Sequence, residues 1–373
     1  MKILVAMSGG VDSSVAAKLL CDAGNTCIGC TMKLYHNEDA GIPRSHTCCS
    51  LYDVEDANSV ARRLGMKYYV FNFSYDFKNK IIDKFINSYT NGRTPNPCID
   101  CNRYMKFAKL FERAEIFDCD HIATGHYAKI VFDSESGKYI LKKATDATKD
   151  QSYVLYTMTQ YELAHTLFPL GELTKAETRK IADQAGFINA SKPDSQDICF
   201  VPDGDYAKII ELHTAKKTPY GNYVDVNGKV LGQHKGIIHY TVGQHKGLGL
   251  SLPDKYYVCA LDPQSNTVLL GHEDGLYRKT AFVSDVNWIS GEIPTEPFRC
   301  KAKIRYRQPE EWAEVIPQED GSVKVIFDMP QRAITPGQAA VFYDGDIVLG
   351  GGEISGTENL SPQTTIYQRR VIV

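Results

Sequence analysis

No stretch of this sequence approaches the roughly 18 consecutive apolar residues that a membrane-crossing helix requires. The N-terminus, MKILVAMSGG, runs straight into a strand pattern and lacks the basic region and cleavage site of a secretory leader. A cytoplasmic protein with no membrane partner is therefore expected. Positive charge is short as well. The 42 Lys and Arg against 45 Asp and Glu leave a formal net charge of −3, which disfavours indiscriminate polyanion binding but leaves room for local basic patches. Cysteine is not scarce. Its eleven positions (21, 27, 30, 48, 49, 98, 101, 119, 199, 259 and 300) are odd in number and irregular in spacing, unlike a disulfide framework. A reducing compartment suits that pattern. At 373 residues and 43% hydrophobic composition, two or three globular domains are expected.

The first 200 residues alternate short apolar runs with helical patterns. KILVA (2–6), CIGCTM (27–32), KYYVFNF (67–73) and HIATG (121–125) read as strands. Helices are expected near 13–23, at 53–65, at 77–89 and near 103–117. This alternation predicts an α/β fold with a doubly wound parallel sheet over residues 1–205. A linker-like stretch (213–222) and a Gly- and His-rich segment follow, with GQHKG at 232–236 and again at 243–247. That marks a small central domain, 206–276. From 277 to 373, short alternating runs and turn signals predict a C-terminal β-barrel.

Between the first strand and first helix lies SGGVDSS (8–14), at the sheet end where open α/β folds bind ligands. Gly9 and Gly10 allow close backbone approach, and helix-start N–H groups face a bound anion. The plain alternative is a tight turn capped by Ser or Asp. It is not a Walker A loop, because no Gly-Lys-Ser/Thr follows; the missing lysine points to a different ATP chemistry.

TPNPCIDCN (94–102) carries a C-x-x-C, and three readings compete for it. Structural zinc needs four ligands and the pair gives two. Cys27/Cys30 and Cys48/Cys49 are the other close pairs, but Cys27 and Cys30 alternate to opposite faces of a strand. A permanent disulfide is disfavoured by compartment. A redox or nucleophilic thiol remains, placed before a helix whose N-terminus would lower its pKa. Far downstream, SKPDSQDICF (191–200) puts Cys199 in a second polar segment.

SGGVDS resembles the phosphate-binding loop of the PP-loop ATP pyrophosphatases, which implies an adenine nucleotide alpha-hydrolase-like fold. Together, AMSGGVDSS, TPNPCIDCN and KPDSQDICF, with ATGHYA (123–128), KDQSYVLY (149–156) and TVGQHKGLG (241–249), resemble the tRNA-specific 2-thiouridylase family over essentially the whole chain. That resemblance implies ATP-dependent 2-thiolation of the wobble uridine, in tRNAs for Lys, Glu and Gln. It implies ATP contacts at Ala6, Met7, Ser8, Gly9, Gly10, Val11, Asp12, Ser13, Met32 and Gly125, with Asp12 on the Mg2+ side. Without it, Met32 reads as core and Gly125 as a turn. It further implies a persulfide on Cys199, supplied by a cysteine desulfurase or relay protein. Cys101 would be the catalytic thiol, and the pair would finish as a Cys101–Cys199 disulfide. Cys98 stands where some relatives have Asp, so an alternative is an iron–sulfur cluster on Cys98, Cys101 and Cys199. The rivals are another PP-loop tRNA-modifying enzyme and a metal-clipped RNA-binding module without ATP chemistry.

For the tRNA side, RCKAKIRYR (299–307) would put Arg299, Lys301, Lys303, Arg305 and Arg307 on one strand face, a phosphate-binding stripe or a charge-protected edge. The resemblance implies tRNA contacts at Arg305, Tyr306, Lys149, Asp150, Gln151, Asn96, Pro97 and Cys98. The repeated GQHKG reads as a flexible phosphate track.

Overall fold

The computed structural model describes residues 1–36, 39, 51–194, 198–201, 203–214, 217–251 and 253–358. Cys48, Cys49 and residues 195–197 and 359–373, which figured in the sequence reading, lie outside the described residues.

The N-terminal unit is built on five parallel strands: β1 (Lys2–Ala6), β2 (Thr26–Lys33), β3 (Lys67–Asn72), β4 (His121–Ala123) and, further along the chain, Thr166–Leu167. Their spatial order is β3, β2, β1, β4 and then Thr166–Leu167. Period-two alternation divides their side chains between two apolar layers. Ile3 and Val5 face the helices Val11–Asp22 and Leu51–Arg63, while Leu4 and Ile122 face the helix Ala108–Ile116. Cys27 and Cys30 obey the same rule and lie in opposite layers. The strand order reverses between β1 and β4, so the crevice at their C-terminal ends is where a ligand is expected.

One hairpin leaves this unit. Strands β5 (Lys129–Asp133) and β6 (Lys138–Lys142) pair with each other, and Lys142 pairs with Ile347 of the C-terminal barrel. That barrel is a six-stranded ring of Tyr277–Trp288, Val323–Arg332, Glu311–Pro317, Phe298–Lys303, Ala339–Asp344 and Ile347–Thr357, closed because the last strand also pairs with the first. Gly350 lets the closing strands approach: a Cβ there would sit 2.3 Å from the Asn287 carbonyl oxygen.

The central unit is a four-stranded sheet (Gly221–Val224, Val230–His234, Tyr257–Asp262, Thr267–Gly271) with the helix Tyr206–Thr214. Its core is continuous with that of the N-terminal unit. Val258, Val268 and Leu270 share a cluster with Phe77, Phe85, Cys101 and Phe200. Both cysteine segments therefore border the seam between the two units.

The first GQHKG copy departs from the phosphate-track reading. His234 is 1% exposed; its Nε2 donates to the Asn266 carbonyl at 3.1 Å, and its Nδ1 accepts from the Gly236 amide at 3.1 Å. Burial lowers its pKa, and a neutral imidazole satisfies both bonds. It is a core histidine packed against Tyr223 and Tyr240.

Candidate active site

The glycine turn folds back on its own helix. Gly9 has φ +76°, and a Cβ there would meet the Asp53 carbonyl oxygen at 2.3 Å, so only glycine fits. Ser13 Oγ accepts from the Ser8 amide and donates to the Gly10 carbonyl, each at 3.1 Å. Gly10 caps the helix without a side chain, leaving the first helical amides to an outside acceptor. Gly125 packs on the same helix start, where a Cβ would lie 2.7 Å from the Ser13 amide nitrogen. Met7 is buried with its amide on the Cys30 carbonyl at 2.7 Å, so its side chain belongs to the core. Met32 is half-buried between two apolar clusters.

Asp12 is held from two sides. Tyr127 donates its hydroxyl to Oδ1 at 2.8 Å, and Lys175 Nζ reaches Oδ1 at 2.6 Å and Oδ2 at 2.8 Å. The same ammonium lies 2.8 Å from Asp194, which also binds Lys149 at 2.8 Å and Arg179 at 2.7 Å. Burial works against the Asp194 carboxylate, but hydrogen bonds from Lys149 and Lys175 outweigh it and hold its pKa near 2. Asn189 donates to the Gly9 carbonyl and to Ser14 Oγ at 2.9 Å each, and Lys192 bridges Asp53 and Asp56. The residues that precede Cys199 in sequence are thus tied to the glycine turn.

The cysteine segment is helical from its outset, not a loop before a helix. Asn96 accepts from the Cys98 amide at 3.2 Å as N-cap, and Pro97 takes the first helical position. The helical run continues through a π-helical stretch, Cys101–Phe107, into Ala108–Ile116. Cys98 is exposed, whereas Cys101 is 8% exposed. The expected depression of the Cys101 pKa is reversed in this state. Burial pushes the thiol up to about 11; Lys106 pulls it down, and Cys98 and Asp100 push it further up. Cys199 packs against the apolar cluster that contains Cys101, and Tyr35 donates its hydroxyl to the Cys199 carbonyl at 2.5 Å. Phe200 anchors this segment by edge contacts with Phe77 and Phe85.

The cluster alternative is not supported. Among the described residues no group of three Cys, His, Asp or Glu is placed to hold a metal, and Cys98 faces solvent while Cys101 faces the core.

The expected tRNA segments converge at Tyr306. Its hydroxyl donates to the Asp150 carbonyl at 3.2 Å, its ring lies edge-on to Tyr153 at 5.9 Å, and Cys98 is close enough to raise its pKa after burial has done so. Asp150 and Gln151 serve internal bonds. The Asp150 carboxylate accepts from the Ala144 amide at 3.0 Å and the Ser152 hydroxyl at 2.7 Å, and Gln151 Oε1 accepts from the Tyr127 amide at 2.9 Å.

The five-residue basic stripe is shorter than expected. Arg299, Lys301 and Lys303 alternate with buried Cys300 and Ala302, but the strand ends at Lys303, and Arg305 opens a turn closed by the Gln308 amide at 3.2 Å. Arg305 points inward, donating to the carbonyls of Val242 (3.1 Å) and Ala333 (3.3 Å) and to the Thr335 hydroxyl. It braces the second GQHKG segment against the barrel. Arg299 is paired with Asp328 through two bonds, 2.8 and 2.7 Å.

Three family models match this arrangement in chain order, over most of the chain. A model described as the tRNA methyl transferase HUP domain matches residues 1–203, a tRNA methyl transferase PRC-barrel domain 208–272, and an aminomethyltransferase beta-barrel domain 278–354. The tRNA-specific 2-thiouridylase MnmA of Acetivibrio thermocellus is 51% identical over 354 residues, 95% of this chain and 99% of that one. The Clostridioides difficile 2-thiouridylase is 48% identical over 353 residues, 95% of this chain and 98% of that one. The chain belongs to the tRNA-specific 2-thiouridylase family.

In this chain, sequence reasoning missed the roles of Lys175, Asp194, Asn189 and Lys192. Thr174 caps the helix Lys175–Gln184 in a capping box with Glu177, a signal that T-K-A-E carries openly. Nothing local, however, indicates that Lys175 crosses to a carboxylate 163 positions away.

Proposed function

We propose that this chain catalyses ATP-dependent 2-thiolation of the wobble uridine in tRNA. The names carried by the matching family models and relatives point to two group transfers, methyl and sulfur. The observation that favours sulfur is the packing of Cys101 and Cys199 against one apolar cluster, joined through Asn189, Lys192 and Asp194 to the glycine turn.

In this reading the glycine turn, Ala6 to Ser13, cradles the ATP phosphates with Gly125 alongside and Met32 nearby. Lys175 supplies the cation that the turn itself lacks. Asp12 and Asp194 share one ammonium, an arrangement that fits Mg2+, which takes one or two carboxylates together with phosphate oxygens. When bound, the ion would neutralise phosphate charge there.

The flipped uridine presents its O2 to the α-phosphorus, forming an adenylated base and releasing pyrophosphate. A donor such as a cysteine desulfurase or relay protein loads Cys199 as a persulfide. The Cys101 thiolate attacks the Cys199 sulfur, the persulfide S–S bond breaks, and hydrosulfide leaves. Hydrosulfide adds at C2, AMP departs with the former O2, and a proton is lost. A Cys101–Cys199 disulfide remains for an external thiol to reduce, as a reducing cytoplasm allows. Asn96, Pro97, Cys98, Lys149, Asp150, Gln151 and Tyr306 border the tRNA, and Arg305 shapes that border from behind. We assign ATP chemistry to residues 1–205, which also border the tRNA, and further tRNA contacts to 206–276 and 277–373.

The test is thiolation itself: ATP, a persulfide donor and tRNA with an anticodon uridine, followed by nucleoside digestion. Product should form, and Cys101→Ser and Cys199→Ser should each abolish it. Unimpaired turnover in either variant overturns that residue's role.

A further inference from the structure

The helical run that carries Cys101 changes its winding at that residue. Cys101–Phe107 is π-helical between two α-helical pieces, Pro97–Asp100 and Ala108–Ile116. In an α-helix, residue i+5 is turned about 140° away from residue i. The wider π turn, bonded i to i+5, brings position 106 back toward the Cys101 side.

Of the cations along this run, Arg103 and Lys109 have carboxylate partners and Arg113 lies over the Phe71 and Phe73 rings. Lys84 crosses to Asp100 at 2.7 Å, Arg103 binds Asp285 at 2.6 Å, and Lys109 binds Glu112 at 2.9 Å. Lys106 has no ion pair among the described residues. Its half-buried ammonium instead lies 3.5 Å from Nε2 of His126, a residue 6% exposed. His126 Nδ1 is 2.7 Å from the Thr124 hydroxyl, and Phe107 and Phe168 flank the ring. Burial, and then the charge of Lys106, keeps that imidazole neutral. In the tautomer whose Nδ1–H donates to the Thr124 hydroxyl, Nε2 accepts from the ammonium.

A half-buried ammonium without an anion is poised to pair with a negative charge that forms beside it. The groups facing Cys101 are few. Cys98 and Asp100 oppose its ionisation, Asp100 being tempered by Lys84, and Lys106 is the group that favours it. Cys199 borders the same cluster.

We propose that Lys106 is a positioning residue for the reacting thiol: the π-helical turn and the His126 ring hold its ammonium as the counter-ion of the Cys101 thiolate. This rests on the reading that Cys101 attacks the persulfide. No other step changes; the proton leaves Cys101 to solvent.

The test reads the thiol directly. Full-length protein, Lys106→Gln and Lys106→Arg are alkylated with iodoacetamide across a pH series, and modification of Cys101 is followed by peptide mass spectrometry. Lys106→Gln should slow Cys101 alkylation about tenfold at every pH below its midpoint, the effect of one pKa unit. Lys106→Arg should restore most of the rate. In thiolation, Lys106→Gln should lower kcat with unchanged KM for ATP. If Lys106→Gln does not fold, His126→Gln, which loosens the ammonium's anchor, should shift the same profile in the same direction. An unmoved Cys101 profile overturns the proposal, and a raised KM for ATP with that profile unmoved gives Lys106 to the nucleotide instead. Turnover by Cys101→Ser would sink the reading beneath it while leaving the alkylation result interpretable.

Discussion

Lys175 Nζ sits 2.6 Å from Asp12 Oδ1, joining the start of one helix to the start of another across the crevice at the strand ends. In the proposed reaction this contact supplies the positive charge that the glycine turn itself lacks. Replacing Lys175 by Gln should reduce AMP formation by about 100-fold, the usual loss when one preorganised charged donor is removed. Tracking AMP and pyrophosphate release checks this; a variant within a few-fold of the parent would refute the role.

Asp194 carries the same network into acid. Its folded pKa near 2 lies below the ordinary 3.8. It therefore contributes about 2 kcal/mol of stability above pH 4, lost as pH falls through 2. Denaturant titrations from pH 7 to pH 2 should show Asp194→Asn less stable than the parent, with the gap closing over that window. A gap that stays constant would show the carboxylate's charge to be irrelevant.

Gly9→Ala places a methyl 2.3 Å from the Asp53 carbonyl at a positive φ. The backbone must move, and the crevice with it. Calorimetry should find ATP binding lost and the melting temperature lowered; unchanged ATP affinity would mean the turn is not the phosphate cradle.

Tyr306→Phe removes one hydrogen bond, to the Asp150 carbonyl. Because that bond holds the ring in the arrangement proposed to meet tRNA, its loss, at about 1 kcal/mol, should raise the tRNA Kd by up to about fivefold with little effect on ATP. Filter binding measures it, and an unaltered Kd would move the tRNA face elsewhere.

Cys98→Ser should keep thiolation within about threefold, because an exposed hydroxyl can fill that place without leaving a buried void. Loss of product would restore a chemical role to Cys98.

Much of the scaffold was legible because period and burial agree. KILVA is the strand Lys2–Ala6 to the residue, and the odd spacing of Cys27 and Cys30 correctly sent them to opposite layers. The helix start at Pro97 was missed although Asn-Pro is a cap signal, since the cysteines drew the stretch into a loop reading. The basic stripe failed at Arg305 because alternation continues in the sequence after the strand has turned. The hairpin Lys129–Lys142 is absent from the sequence reading, and nothing in it names a barrel partner 205 residues on, at Ile347. Long-range ion pairs such as Lys175–Asp12 leave no periodic trace at all.

In the proposed reaction Cys101 displaces one sulfur from Cys199 as hydrosulfide beside an adenylated uridine. Single-turnover thiolation without added reductant, followed by non-reducing peptide mass spectrometry, measures it. One Cys101–Cys199 disulfide should form for each thiouridine. Product made while Cys101 stays a free thiol, or is found joined to Cys98, would contradict the account.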